Sequence, residues 1–451
     1  MLSLLISGLT CAAILVLAGS EPHLLIILAY LIFTFVIRLA SAAYIDVFGP
    51  VHSEQLDADI GAGLSALPLA IAYLISFLIF WWALRRRRFA VRPVMPSVRV
   101  AAFEQRVALF CTYALGAFAL YLYVDLALSG NVPLFSKTER YDYASTYSGI
   151  CGRFLLHYGS LIAFLLGLLY ARPYFWRAPP ERLPGYILAL IFTYLLLTGH
   201  RFSGFFLYSC WFLIPVGLVK LRYSLDAASD RPQAAPFRGN RTRIMAFAVL
   251  LSAAIALAIG NSYFRVRSID GHPPIEKFRD RVLVQTSEMW WVTYQKVLVA
   301  DEPDMARAFK EIFIDPPLLD KNTSIQYLMR RAVGDDRANF AIRQGTLYGG
   351  GFPEVMFEIS GRYWGFVLTA VMSMLAALVF YVVAHETMRG HVISPFLGFC
   401  VLYPLLVFHV SGQLQYMCRL QYYAKLALFI AALLVNHCFA KRDLIEGKGT
   451  T

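Results

Sequence analysis

Several stretches of this chain run for about 18 residues without a charged side chain, and no other feature constrains its fold as strongly. A helix of about 20 apolar residues crosses the hydrocarbon core of a bilayer. Of the 451 residues, 58% are hydrophobic and only 16% are charged, whereas about 25% are charged in an average soluble domain. The sequence therefore predicts an all-α polytopic membrane protein.

The apolar runs predict eleven transmembrane helices. The first run counts as a span because neither a cationic start nor a cleavage site marks it as a signal peptide. The predicted spans cover about residues 2–19, 23–45, 64–84, 107–128, 154–171, 184–200, 203–219, 244–261, 363–384, 392–410 and 420–439. This gives three regions along the chain: spans one to eight (1–261), one large loop (262–362), and spans nine to eleven with a tail (363–451).

The distribution of lysine and arginine predicts the orientation in the membrane. The net charge is +12, and many of the basic residues lie in connecting segments predicted on one side, namely 85–106, 172–182, 220–243 and the C-terminal tail. By the positive-inside rule this side is cytoplasmic. The segments predicted on the opposite side are 129–153, the turn 199–201 and the loop 262–362. A nucleic-acid partner is not expected, because no basic stripe accompanies a soluble fold.

Arginines in the three outer segments are the main candidates for binding an anion. Arg201 lies in a tight turn between two apolar runs, where a charge is costly unless it reaches water, headgroups or an anion. Its guanidinium suits a phosphate, although an interfacial arginine that reaches water is the alternative. Arg140, Arg265 and Arg337 are further candidates, with ordinary surface charges as the alternative for each.

A run of three glycines at 349–351 precedes Glu354 just before the predicted ninth span. Glycines permit close approach of a ligand to the backbone, and a partly desolvated Glu354 could act as a base. The alternatives are a flexible connection into the span and a salt bridge from Glu354 to an arginine. No HExxH motif and no CxxC pair occurs, so the sequence indicates no metal site.

Three short segments together resemble the O-antigen polymerase (Wzy-type) family of oligosaccharide repeat-unit polymerases. They are GNVPLF at 130–135 with Arg140, GHRF at 199–202, and Asn339-Phe340 leading to GGGFPE at 349–354. The large loop late in the chain follows the same layout. The resemblance covers most of the chain by the order of these features, but the matching residues are few.

The resemblance implies a metal-independent glycosyltransferase of GT-C-like architecture, without a cofactor, in the bacterial inner membrane with its active site facing the periplasm. It would move a growing glycan from undecaprenyl diphosphate onto a new lipid-linked repeat unit. The expected partners are these lipid-linked oligosaccharides, membrane lipid and a chain-length regulator protein.

Within that picture, roles follow for individual residues. Arg140, Arg201, Arg265 and Arg337 would bind the diphosphate, with Arg267 and Arg281 as a second tier. Arg201 would also act catalytically, and Glu354 would be the base. Tyr348 and Trp290 would stack on sugar rings, although Trp290 could equally be a membrane anchor.

Two other functions stay open at this point. An O-antigen ligase shares the predicted fold and a similar large loop, and short motifs do not separate it from a polymerase. A transporter or flippase of lipid-linked sugars belongs to another class. Such proteins place ionisable groups around a cavity at mid-membrane, whereas the predicted spans here are almost free of charge except for Arg38.

Overall fold

The computed structural model describes residues 1–89, 98–136, 138, 143–176, 181–200, 202–227, 274–315 and 323–445. Its α-helices in chain order are α1 (Leu2–Ser20), α2 (Pro22–Ile27), α3 (Ala29–Phe48), α4 (Ala66–Leu84), α5 (Val98–Leu128), α6 (Ile150–Trp176), α7 (Leu183–Leu197), α8 (Phe202–Ala227), α9 (Pro274–Leu283), α10 (Glu288–Thr293), α11 (Met305–Phe309), α12 (Thr323–Val333), α13 (Asp335–Arg343), α14 (Glu354–Met388), α15 (Ile393–Ser411), α16 (Gln415–Cys418) and α17 (Leu420–Ile445). A 3₁₀ turn lies at Arg86–Phe89, and π-helical turns lie at Tyr143–Tyr147, Tyr294–Val299 and Lys310–Ile314.

A small hairpin interrupts the helices between α3 and α4. Its strands are β1 (Val51–Ser53) and β2 (Ala58–Ile60), which pair antiparallel with Val51 opposite Ile60. The sequence analysis did not predict this hairpin, because three-residue strands are too short to show an alternating pattern.

Nine helices in the described ranges are long and apolar enough to cross a membrane: α1, α3, α4, α5, α6, α8, α14, α15 and α17. Helices dominate because a chain in lipid must satisfy its backbone hydrogen bonds internally. The protein is therefore a multi-pass helical membrane protein, and this part of the fold prediction is confirmed.

The exact number of spans stays a prediction. The predicted span at 184–200 corresponds to α7, an apolar helix of 15 residues. The predicted span at 244–261 lies outside the described residues. The predicted span at 23–45 is divided between the short helix α2 and the longer α3.

A backbone break at Gly361 divides α14 into the segments 354–360 and 362–388. Gly361 has φ 81° and ψ −176°, which are not helical angles. A residue with a Cβ would be strained there, whereas glycine adopts a positive φ readily. The predicted ninth span, starting at 363, corresponds to the longer segment after this break.

The described chain divides into two compact units, and the first holds the segments Met1–Arg88, Ile275–Val382 and Cys400–Phe429. In its core, Phe35 of α3 stacks on Tyr73 of α4 with ring centroids 4.1 Å apart. Trp290 of α10 packs edge-on against Phe357 of α14 at 5.5 Å. Short helices of the large loop therefore pack into the same unit as α3 and α4.

The second unit holds Phe89–Pro274, Val383–Phe399 and Ile430–Thr451. Phe164 of α6 stacks on Phe399 of α15 at 3.8 Å, and Trp211 of α8 meets Phe399 edge-on at 5.4 Å. A Cβ on Gly167 would lie 2.3 Å from the Phe212 carbonyl oxygen, so this glycine lets α6 approach α8 closely. Small residues at such contacts are typical of helices that pack in membranes.

Candidate functional site

A cavity of about 630 Å³ lies within the first compact unit. Its volume falls in the range usual for small-molecule sites. Side chains of α3 and the end of α15 line it together with the loop residues before α10 and α14. One part of the lining is apolar, comprising Phe33, Ile37, Ile325, Leu347 and Val410; the other is polar, comprising Thr34, Arg38, Gln55, Arg281, Gln285, Thr286, Tyr348, Ser411 and Gln413. This mixed lining suits an amphiphilic ligand.

Arg38 of α3 is the buried cation in the cavity wall, with 2% of its surface exposed. Its Nε donates to the Thr286 carbonyl at 3.2 Å. One terminal nitrogen donates to the Phe352 carbonyl, and the other pairs with the Glu354 carboxylate. A charge inside an apolar helix is costly unless it is paired, and these contacts supply the pairing.

Glu354 lies at the start of α14 and is completely enclosed. Its Oε1 pairs with Arg38, while its Oε2 has no hydrogen-bond partner among the described residues. The carboxylate does not line the cavity. The sequence analysis gave a salt bridge to an arginine as one alternative for Glu354. The structure shows such a salt bridge, and its arginine is Arg38.

The glycine loop covers this ion pair. Gly350 has φ +112°, and a Cβ there would lie 2.7 Å from Glu354 Oε1 and 3.3 Å from an Arg38 nitrogen. A Cβ on Gly351 would lie 2.2 Å from the Ser411 carbonyl oxygen. Gly349 and Gly350 themselves line the cavity. Bare backbone therefore separates the cavity from Glu354, which explains why glycine occupies these positions.

Arg281 lines the same cavity and is half-buried. Its guanidinium has no ion pair and no hydrogen bond within the described part of the chain. Arg281 differs in this from Arg307 and Arg330, which both pair with Glu311. A cation with free donors in a cavity is suited to bind an anion.

Tyr348 lines the cavity, as its predicted ligand-binding role requires. Its hydroxyl donates to the Gln55 carbonyl at 2.9 Å, which ties the loop to the β1–β2 hairpin. Burial raises the pKa of the Tyr348 phenol, and the nearby charge of Arg337 opposes this shift. The phenol is therefore protonated at neutral pH and acts as a hydrogen-bond donor.

Two other predicted residues are not among those that line the cavity. Trp290 is fully buried, and its indole nitrogen donates to the Ser65 carbonyl at 2.8 Å. No face of its ring is open to a sugar, so in this structure Trp290 is a core residue and not a membrane anchor. Arg337 pairs with Asp57 of the hairpin at 2.8 Å on the exposed surface. In this structure Arg337 thus connects α13 to the turn of the hairpin.

Three of the predicted diphosphate ligands, Arg140, Arg201 and Arg265, lie outside the described residues, as does the second-tier Arg267. The other second-tier candidate for binding the diphosphate, Arg281, lines the cavity. The sequence analysis did not assign Arg38 to the site. The sequence feature that could have identified Arg38 is its position as a single arginine inside an apolar span. Such positions are often functional in membrane proteins.

A second buried carboxylate, Glu288 of α10, supports the hairpin next to the cavity. Ser53 of β1 donates to Glu288 Oε2 at 2.6 Å, and Oε1 has no partner among the described residues. Burial raises the pKa of the Glu288 carboxyl to about 7, with a smaller contribution from the negative charge of Glu54. Glu288 thus titrates near neutral pH.

Within the described ranges, no group of three or more His, Cys, Asp or Glu side chains is arranged to hold a metal ion. The charged side chains that line the cavity are those of Arg38 and Arg281.

Comparison with known proteins gives one family match. Residues 319–425 are similar to the family described as "Family of unknown function (DUF6418)". This segment contains α12, α13, the glycine loop with Glu354, and α15. No curated protein and no solved structure matches the chain.

Proposed function

We propose that the protein is a membrane glycosyltransferase that polymerises undecaprenyl-diphosphate-linked oligosaccharide repeat units, with its active site on the periplasmic side of the bacterial inner membrane. The observation that carries the proposal is the guanidinium of Arg281, which has no partner among the described residues and lines one amphiphilic cavity together with the buried Arg38. The sequence resemblance to repeat-unit polymerases supplies the reaction.

The lining of the cavity supports a ligand with an apolar tail and an anionic head. Phe33, Ile37 and Val410 provide an apolar wall for part of a polyprenyl chain. Arg281 and Arg38 belong to the polar part of the lining, where a diphosphate would lie. Guanidinium groups bind phosphate oxygens through two parallel hydrogen bonds, which favours arginine at such sites.

In the proposed reaction, the bond between the anomeric carbon of the growing glycan and the diphosphate oxygen breaks. A new bond forms from that carbon to a hydroxyl at the non-reducing end of a second lipid-linked unit. Undecaprenyl diphosphate leaves with the bonding electron pair, and its negative charge grows in the transition state. Fixed arginines stabilise such a charge without needing to reorganise.

The proton of the attacking hydroxyl must pass to a base, and we assign this role to Glu354. Its Oε2 has no partner among the described residues, so it can accept a hydrogen bond. Because Glu354 is enclosed behind Gly350, the assignment requires the glycine loop to shift when the acceptor binds. Arg140, Arg201 and Arg265 remain proposed diphosphate ligands on the strength of the sequence alone.

The decisive test is polymerisation by the purified protein, with lipid-linked repeat units as both donor and acceptor. We expect a ladder of longer lipid-linked glycans and release of undecaprenyl diphosphate, with no loss of activity in EDTA. Transfer only to a lipid A–core acceptor would identify a ligase instead. Movement of the lipid-linked unit across the bilayer without a new glycosidic bond would identify a transporter.

A further inference from the structure

The segment Met305–Ile314, formed by α11 and the π-helical turn after it, has its charged and apolar side chains placed in an unusual way. Met305, Phe309 and Ile314 are all exposed, and the rings of Phe309 and Phe313 contact each other with centroids 5.0 Å apart. A soluble surface seldom presents large apolar side chains in such a group.

Two charged side chains of the same segment, Arg307 and Glu311, are turned towards the protein. Arg307 pairs with Glu311 at 2.5 Å, and Glu311 also pairs with Arg330 of α12 at 2.6 Å. Ala308 and Ile312 are buried in the unit as well. The segment is thus fixed by its buried and charged contacts, while an apolar strip faces away from the protein.

The apolar strip lies beside the start of a transmembrane helix. A Cβ on Gly361 would lie 2.8 Å from Met305 Cε, so Met305 packs directly against the break in α14. Tyr363 and Trp364 follow this break and are both strongly exposed. Tyrosine and tryptophan at the end of a span are typical of the membrane–water interface, which places Met305 at interface depth.

We infer that the segment Met305–Ile314 is a membrane-contacting element whose apolar strip inserts into the lipid leaflet at which the long segment of α14 begins. Amphipathic helices of this kind bury their apolar side about 5–10 Å into the boundary between headgroups and acyl chains. Lys310, which is exposed next to Phe309, reaches the phosphate groups of the headgroups.

The element also connects the leaflet to the cavity. Glu311 holds Arg330 of α12, and Ile325 of the same helix lines the cavity. The depth of Phe309 in the leaflet therefore fixes the height of one cavity wall relative to the lipid. This inference stands on packing and exposure alone and is independent of the reaction proposed above.

Site-specific photo-crosslinking in the full-length protein tests the inference. p-Benzoylphenylalanine is placed at Phe309 or, as the matched control, at Phe340 of α13. Both phenylalanines are exposed, at 56% and 64%, but exposed charged residues such as Asp336, Arg337 and Arg343 surround Phe340. The protein is reconstituted into nanodiscs of phosphatidylethanolamine and phosphatidylglycerol that contain an alkyne-tagged phosphatidylethanolamine.

We expect on the order of tenfold more lipid adduct from position 309 than from position 340, because only position 309 lies in the leaflet. Equal labelling of the two positions would overturn the inference, as would an adduct of position 309 with a second protein in place of lipid. If the variant at Phe309 does not fold, Met305 and Ile314 carry the same expectation.

Discussion

Two buried carboxylates, one in each compact unit, differ in how fully the protein satisfies them. In the second unit, Glu386 accepts hydrogen bonds on both oxygens. Arg389 donates to Oε1 at 2.9 Å, while Ser394 and Asn436 donate to Oε2 at 2.9 and 3.0 Å. In the first unit, one oxygen of Glu354 pairs with a single arginine, and the other has no partner in the described part of the chain.

The surroundings of the two carboxylates differ in the same sense. All the hydrogen bonds described for Glu386 come from side chains of the protein itself. Beside Glu354 lies the glycine loop, which borders the cavity. The same cavity is lined by Arg281, whose guanidinium has no partner among the described residues. Buried polar groups are normally satisfied in folded proteins, and exceptions call for an explanation. We explain the cluster around Glu354 as part of a binding site and the cluster around Glu386 as a structural network.

The largest expected difference between the two clusters is in the unfolding free energy that is lost when the arginine of each cluster is replaced. Arg38→Ala leaves Glu354 buried without a counter-charge, which costs about 3–5 kcal/mol of unfolding free energy. Arg389→Ala costs about 1 kcal/mol, since Glu386 keeps two other donors. Unfolding of both variants in mixed micelles measures this. Equal losses would mean that the two carboxylates are held in the same way.

The next effect is on catalysis and concerns Arg281. Arg281→Ala should lower polymerisation about 10²- to 10³-fold, because a positioned donor to the leaving group is lost. The stability of this variant should change by less than about 0.5 kcal/mol, since the guanidinium has no partner among the described residues to lose. Arg343→Ala is the matched control.

Arg343 is exposed, lacks a partner among the described residues, and does not line the cavity. Its removal should leave polymerisation unchanged. A similar loss of activity in Arg343→Ala and Arg281→Ala would show that general loop charge, and not the cavity, supports the reaction.

A pair of glycine substitutions sharpens the role of the loop over Glu354. Gly350→Ala introduces a Cβ against the Glu354–Arg38 pair at a positive φ, and we expect a loss of about 2–3 kcal/mol. Gly345→Ala also meets a positive φ, +77°, but nothing lies within 4 Å of its Cβ. It should cost about 1 kcal/mol from backbone strain alone. Thermal unfolding that ranks the two in the opposite order would exclude close packing of the loop on the ion pair.

The smallest effect is a pH dependence from Glu288. Its folded-state pKa of about 7 is raised from 4.5, so the unfolded chain loses the proton first. The stability from protonated Glu288 is complete below pH 4.5 and is lost as pH rises through 7. Between pH 6 and 8 we expect a loss of about 1 kcal/mol, which Glu288→Gln should abolish. Unfolding measured at both pH values in the two proteins checks this, and an unchanged slope in the variant would assign the titration to another group.

The sequence predicted the membrane class well, because lipid allows few backbone arrangements and requires long apolar helices. It also directed attention to Tyr348, Glu354 and Arg281. It did not reveal that Arg38 pairs with Glu354, since 316 residues separate them along the chain. A hydrogen-bonded pair at that separation leaves no periodic pattern.

Burial was the other property that residue types could not show. Trp290 was predicted to contact sugar because tryptophan often does so, but its side chain is buried in the core. Arg337 was predicted to contact phosphate, but it pairs with Asp57 of a hairpin too short to be recognised in the sequence. Both residues have their partners in segments distant along the chain.

In our proposal, the cavity lined by Arg281 and Arg38 binds a lipid diphosphate. Binding of undecaprenyl diphosphate to the purified protein, to Arg281→Ala and to Arg343→Ala tests this directly, for example by native mass spectrometry. We predict that the wild-type protein and Arg343→Ala bind equally, and that Arg281→Ala binds about tenfold or more weakly. Equal binding by all three proteins would show that Arg281 is not a ligand of the diphosphate.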